Sequence, residues 1–278
     1  RDRDVTGVQT CALPISAFLL FATCFTANSQ SSSPAYVMAT FVKTDRGKAN
    51  QYLDVIKKAN SKVWEARVKS GELNYFELYS VNRMRTNPQD EYDFVAVMAS
   101  HSLKPMMDPA KTAKEILKDL MPAMDDHTLD LTQSEIPSLR VVYKQEVLKL
   151  LDIVEGEGTK FFEISYMRSA PGKTPAYENL EKNVFKTLHA ERKSQGAITA
   201  WAFWQLVYPA SGIRDYDYVT VNGINDWDKF INSDYGDIYK KVFPSRDINK
   251  LTAQTQAART IVKTEVWKRE LRVSADGK

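Results

Sequence analysis

The chain has 278 residues, 43% hydrophobic and 26% charged, and its 38 Lys and Arg against 35 Asp and Glu leave a formal charge of +3 at pH 7. That mild balance, without a basic run, argues against nucleic acid as a partner. With only two cysteines, a disulfide framework and Cys-rich metal sites are excluded.

Val5–Ile15, VTGVQTCALPI, resembles a translated sequencing-library adapter codon for codon, so residues 1–15 are read as adapter-derived and set aside from the fold. Ser16–Ser29, SAFLLFATCFTANS, is an apolar run followed by small and polar residues. It is too short to span a bilayer and reads as a truncated signal peptide, 16–29, with cleavage expected before Gln30. The expected product is an exported bacterial protein, secreted or periplasmic. Cys11 and Cys24 fall in these two segments, which leaves the mature chain without a thiolate nucleophile. No later stretch approaches twenty apolar residues, so no membrane partner is expected after signal cleavage.

Tyr36–Lys43 is a β-branched and aromatic run that predicts a strand. A turn holding Gly47 leads to a helix with the apolar stripe Tyr52, Val55, Ala59, Val63, closed by Gly71 as a C-cap. Strands are predicted at Tyr75–Val81 and Tyr92–Ala99 about an Asn87-Pro88 turn, then a helix at Pro109–Leu120 and a strand opening at Arg140 with RVVYKQEVLK. Asp125–His127 is expected to be a solvated loop. EGEGTK, residues 155–160, reads as a linker. The series then starts again. Phe161–Arg168 is a strand, the next helix carries Tyr177, Leu180, Val184 and Leu188, and Gly196 closes it. Strands at Ala200–Tyr208 and Tyr216–Asn222, helices at Asp226–Ile231 and Ile248–Ala257, and RTIVKTEVWK from Arg259 complete it.

The two series align without a gap from Tyr36 and Phe161 at an offset of 125, with Gly47/Gly172, Lys48/Lys173, Tyr52/Tyr177, Arg67/Arg192 and Gly71/Gly196 in coincidence. The chain therefore reads as a tandem duplication, repeat 1 at 36–150 and repeat 2 at 161–272. Each repeat has the β-α-β-β-α-β order of a ferredoxin-like unit. The expected fold is α+β: two tandem ferredoxin-like repeats packed sheet to sheet as an intramolecular pseudo-dimeric α/β barrel.

This element order, with its strand–Gly–long helix opening, resembles the dimeric α/β-barrel superfamily across 36–150 and 161–272. That group includes antibiotic-biosynthesis monooxygenases, stress-responsive barrel proteins and chlorite dismutase-like heme proteins. The resemblance implies a ligand cavity between the first helix of a repeat and its sheet. In some members it implies a heme, for which His189 is the candidate ligand. One fold hosts many functions, so it fixes no reaction.

SAPGKT at 169–174 is a strand-to-helix turn: the Gly that a phosphate loop requires is replaced by Met167. His101, His127 and His189 have no metal-ligand spacing, so no metal is expected. The ligand-binding candidates are Tyr166, Trp201, Trp204, His189 and Arg192 in repeat 2 and Trp64 and Tyr79 in repeat 1. His189 stands where repeat 1 has Trp64, which would free volume and place a group titrating near neutral pH in the cavity. Glu163, a lone acid in an apolar strand where repeat 1 has Met38, joins His189 as a catalytic candidate, and burial would raise its pKa. Lys144/Glu146 and Lys263/Glu265 share a strand face in each repeat and read as structural ion pairs. The favoured function is binding of a small apolar or aromatic molecule without a cofactor, by a monomer or homodimer, with repeat 2 the more competent half. The alternatives are a cofactor-independent monooxygenase acting on an aromatic substrate and a heme-dependent enzyme.

Overall fold

The computed structural model describes residues 33–85, 92–210 and 214–277. The adapter and signal-peptide readings and the Asn87-Pro88 turn lie outside the described residues. The first half runs β1 (Tyr36–Thr44), α1 (Ala49–Val55), a π-helical turn (Ile56–Asn60), α2 (Ser61–Lys69), β2 (Tyr75–Arg85), β3 (Phe94–Ser100), α3 (Lys104–Met107), α4 (Ala113–Leu120), α5 (Asp126–Ser138) and β4 (Arg140–Val154). The second runs β5 (Phe161–Ser169), α6 (Thr174–Leu180), a π-helical turn (Glu181–Phe185), α7 (Lys186–Ser194), β6 (Trp201–Tyr208), β7 (Tyr218–Ile224), α8 (Trp227–Ile231), α9 (Tyr235–Val242), α10 (Ile248–Ala258) and β8 (Arg259–Ser274).

The eight strands form one closed antiparallel barrel in the order β1-β3-β2-β8-β5-β7-β6-β4, with β4 returning to β1. Within each half the order is that of a ferredoxin-like sheet. The halves meet by hydrogen-bonded pairing of β2 with β8 and of β4 with β6. Matching strands pair in matching register: Met38 lies opposite Met98 between β1 and β3, and Glu163 opposite Asn222 between β5 and β7.

Side chains alternate across each strand. One set, with Phe41, Tyr79, Val95, Ile164, Tyr166, Trp204 and Trp267, forms a core shared by both halves inside the barrel. The other faces helices and makes two separate cores. Tyr52, Ile56, Phe76 and Leu78 pack in the first, and Tyr177, Leu188, Trp201 and Phe203 in the second.

The helices depart from the sequence reading in several places. A π-helical turn splits the first helix of each half, so the buried face takes in Ile56 and Glu181, which a uniform 3.6-residue stripe passes over. Asp125–His127 is not a loop. Asp125 caps α5, accepting from the Thr128 backbone N–H at 2.9 Å, and the exposed His127 sits in the first turn. The polar composition of α5 and its Pro137 hide the helix from pattern reading. α9, capped by Asp234, was also not foreseen. Gly71 and Gly196 do close their helices with left-handed φ of +77° and +75°.

The barrel interior holds buried acids that are satisfied across the two halves. Glu265 on β8, 0% exposed, accepts from Tyr92 Oη (2.6 Å), Tyr166 Oη (3.1 Å) and Trp267 Nε1 (3.0 Å), with Lys263 Nζ at 3.4 Å. Glu146 on β4 takes a hydrogen bond from Tyr216 Oη and pairs with Lys144 at 2.8 Å. Each K-x-E motif is thus an ion pair along its own strand. Its carboxylate is tied to a tyrosine of the opposite half. Nearer the other seam, Glu77 pairs with Arg269 (3.0 Å) and Arg272 (2.6 Å) and accepts from Tyr79 Oη.

Glu265→Ala would remove the carboxylate that Lys263 faces and the shared acceptor of three buried hydrogen-bond donors. Its expected cost is about 3–5 kcal/mol in urea unfolding, the range for breaking a buried pair from one side. A cost near zero would mean that the barrel does not depend on this group.

Candidate functional site

A cavity of ≈ 420 Å³ lies between the helix-facing side of the second half's sheet and its helices. Its floor is β5, β7 and β8, through Glu163, Ser165, Thr220, Asn222 and Thr264. The wall is Glu181 and Phe185 of the π-helical turn and Leu188 and His189 of α7, with Tyr235 and Tyr239 of α9 and Leu251 and Thr255 of α10 opposite. Arg259, at the start of β8, also lines it. The floor is polar because alternate residues of β5 and β7 present Glu163, Ser165, Thr220 and Asn222. The register-matched residues of the first half at two of these places are Met38 and Met98.

The polar groups of this lining are incompletely paired. Asn222 donates from Nδ2 to Glu163 Oε2 at 2.9 Å, while its buried Oδ1 has no partner. His189, 5% exposed, lies flat against Trp201, ring centroids 5.1 Å apart and planes 14° from parallel, and its Nδ1 has no partner. A buried polar atom without a hydrogen bond is costly, and such atoms gathered at one cavity mark a place for a ligand or water to bond.

Burial, and then the positive charge of Arg192, push the His189 imidazole down to about 3. The sequence reading expected a group titrating near neutral pH. The structure instead keeps the ring neutral there, because its site is too dry and too close to a guanidinium to accept a proton. The group near neutrality is Glu181, 3% exposed, whose carboxyl burial raises to about 7 against the opposing pull of the Tyr177 hydroxyl and the Arg259 charge. Glu163 is half-buried and held by Asn222.

The remaining candidates divide between different places. Trp201 backs His189 from the sheet. Tyr166, Trp204 and Tyr79 project into the barrel interior, on the far side of the sheet from the cavity, because residues 201 and 204 are an odd number apart on one strand. Arg192 is buried behind Tyr235, donating to its Oη at 2.7 Å and to Ser233 Oγ at 3.2 Å, and stacking over the Tyr235 ring. Trp64 stacks on Phe76 in the first half, 4.4 Å and 5° apart. Among the described residues no group of three His, Cys, Asp or Glu could hold a metal ion, and no helix is long and apolar enough to cross a membrane.

Sequence reasoning missed Glu181, Asn222 and Arg259. Glu181 aligns with Ile56 at the offset of 125. The same sign that singled out Glu163, an acid where the first half is apolar, also marks it.

No family model matches the chain, and no curated protein does. Among solved structures it is similar to a heme-binding protein from Thermus thermophilus, at 10% identity over 85% of this chain and 91% of that chain, TM-score 0.46. It is also similar to a mutant chlorite dismutase from Candidatus Nitrospira defluvii in complex with cyanide, at 9% identity over 86% and 92%, TM-score 0.49. A third is an anthrone oxidase-like protein, at 10% identity over 88% and 95%, TM-score 0.48.

A raised carboxyl pKa in the folded chain means that folding favours the protonated acid. Glu181's contribution is fully present below its ordinary 4.5 and is lost as pH rises through about 7. Relative to Glu181→Gln, the parent chain is expected to lose about 3 kcal/mol of stability between pH 4 and pH 8. Urea unfolding of both proteins across that range measures it, and parallel pH profiles would remove the assignment.

Proposed function

We propose that this chain is a small-molecule-binding protein with its ligand in the second-half cavity, and that it arose by tandem duplication as an intramolecular pseudo-dimeric α/β barrel. The observation that carries the binding reading is the pair of buried unpartnered atoms His189 Nδ1 and Asn222 Oδ1, with the unpartnered Arg259 Nε as a third, on the lining of a ≈ 420 Å³ cavity. A volume of that order suits a small organic ligand. A ligand hydrogen-bonded to both atoms would offset the cost of burying them.

The comparison of the halves supports a division of roles. Ile56, Trp64, Phe76, Met38 and Met98 pack together in the first half. At the equivalent places the second half has Glu181, His189, Trp201, Glu163 and Asn222. Four of these five exchanges put a polar group where the first half has an apolar one. This pattern fits a first half that fills its own space and a second half that opens it. The SAFLLFATCFTANS segment supports work outside the cytoplasm.

One observation favours an enzymatic second reading. A carboxyl near 7 has the protonation balance of a general base or acid at neutral pH, which places that role on Glu181 rather than His189. A proton taken from an acidic aromatic substrate is the first step such a base would serve.

A heme, present in some relatives by resemblance, does not fit this lining. The macrocycle needs an apolar slot, while the floor presents Glu163, Ser165, Thr220, Asn222 and Thr264. Hemin titration is expected to give no Soret band that depends on His189, and a band abolished by His189→Ala would restore the heme reading.

Native mass spectrometry of the purified chain, before and after exposure to a bacterial metabolite extract, is expected to show a bound organic molecule of a few hundred daltons or less. His189→Ala should reduce its occupancy about tenfold while Trp64→Ala leaves it nearly unchanged, a difference of about 1.4 kcal/mol. The reverse order would place the working site in the first half, and absence of any adduct would overturn the binding reading.

A further inference from the structure

Resting on the ligand site proposed above, we infer that its occupant is an elongated hydroxy acid, with a carboxylate at Arg259 and, at the far end of an apolar body, a single hydroxyl at Asn222.

Strand register gives the cavity two different ends. At one, Asn222 on β7 lies opposite Glu163 on β5 and Trp201 on β6, and His189 is stacked on that tryptophan. At the other, Arg259 on β8 lies opposite Ser169 on β5. Glu163 and Ser169 are six positions apart on one strand, roughly 20 Å of backbone, which the arginine side chain shortens by its own reach. Between them the floor runs through Ser165 beside Thr220 and Thr264, then Met167 opposite Ile261. Ser165 and Thr264 share a hydrogen bond of 3.2 Å, so the middle of the floor is already satisfied.

The unpartnered atoms at the two ends are of opposite kind. Arg259 Nε is a buried cationic donor, and the group that completes it best is an anionic acceptor. Asn222 spends its amide N–H on Glu163 and leaves Oδ1, a neutral acceptor, without a partner. One orphaned acceptor asks for one donor, which a hydroxyl brings; an ammonium brings three. The Glu163 carboxylate beside Asn222 repels an anion, which fixes the direction of the ligand. Phe185, Leu188 and Leu251 supply the apolar wall for its body. The first half repeats only one end of this arrangement. Arg140 also has a buried unpartnered Nε, but Met38 and Met98 stand where Glu163 and Asn222 do.

The pH dependence has a definite sign. The titratable and charged groups around Glu181 are Tyr177 on its own helical segment, Arg259 on β8, Glu163 on β5, Tyr235 and Tyr239 on α9, and the neutral His189 on α7; α10 presents Thr252, Thr255 and Gln256. Burial keeps the Glu181 carboxyl neutral below about 7, so it does not neutralise Arg259 there. A ligand carboxylate at Arg259 favours protonated Glu181, so binding takes up a proton. Affinity is expected to fall about tenfold from pH 6 to pH 8, following the protonated fraction of a group that titrates near 7.

Isothermal titration of the full chain with 3-(4-hydroxyphenyl)propanoate tests the inference. Three analogues accompany it: 3-phenylpropanoate, 3-(4-hydroxyphenyl)propan-1-ol and the 2-hydroxyphenyl isomer of the acid, which cannot place its two groups at opposite ends. The first acid is expected to bind about tenfold more tightly than each analogue at pH 6. Arg259→Gln is expected to remove that advantage over the propanol while leaving the propanol's own affinity unchanged, which also shows that the variant is folded. Glu181→Gln is expected to abolish the pH slope. Equal or tighter binding of the propanol, if weakened by His189→Ala, would overturn the carboxylate and leave the ligand site intact. Equal binding of the 2-hydroxyphenyl isomer would overturn the two-ended arrangement, and a slope that persists in Glu181→Gln would overturn the role given to that carboxyl. Binding by none of the four would overturn the hydroxy acid, and the mass-spectrometric search for an adduct then decides separately whether the cavity is a site.

Discussion

Closure of the strand ring is the constraint on which the rest depends. Once β2 bonds to β8 and β6 to β4, no sheet edge is left over along those pairings, and alternate side chains from both halves are shut into one common space. Polar groups inside must then find partners there. Glu265 does so through Tyr92, Tyr166 and Trp267, Glu146 through Tyr216, and Glu77 through two arginines. The interior is thus self-contained, and the incompletely paired chemistry sits on the opposite faces of the same strands.

That division explains why one half can change without disturbing the other. The interior residues of β5 pack against both halves, but Glu163 and Ser165 face the cavity under the helices of their own half. An acid introduced at the Met38-equivalent place faces the cavity rather than the shared core. The helix-facing side can therefore take on polar character while the barrel keeps its packing. The π-helical turn contributes in both halves, since it brings one more residue, Ile56 or Glu181, down onto the sheet.

The fold was largely legible because its signals are local. Strand alternation, the Gly71 and Gly196 caps and the recurrence at an offset of 125 are all readable along the chain. What escaped reading depended on three dimensions or on irregular geometry. The π-helical turns break the period on which stripe reading relies, so Glu181 was passed over. Trp201 and Trp204 looked like one aromatic wall, and only strand parity assigns them to opposite faces. The titration of His189 depends on Arg192 and on dryness, neither of which residue type reveals. Glu163 and His189 do share the cavity, because each departs from an apolar counterpart in the first half.

The reciprocal seams also govern the order in which the molecule can be completed during synthesis. Arg272 reaches back 195 positions to Glu77, and Ser80 bonds Glu270 across 190. β8, with 16 residues, is the final strand and bridges β2 to β5. When the first half leaves the ribosome, the second-half groups that bond its Tyr92 and Glu146 are not yet made, and its interior face is open to water. Contacts at such separation form late, since chain entropy opposes them until the intervening residues are ordered. A ribosome-stalled chain that ends before Arg259 would therefore present an unshielded apolar sheet, the kind of surface that chaperones hold.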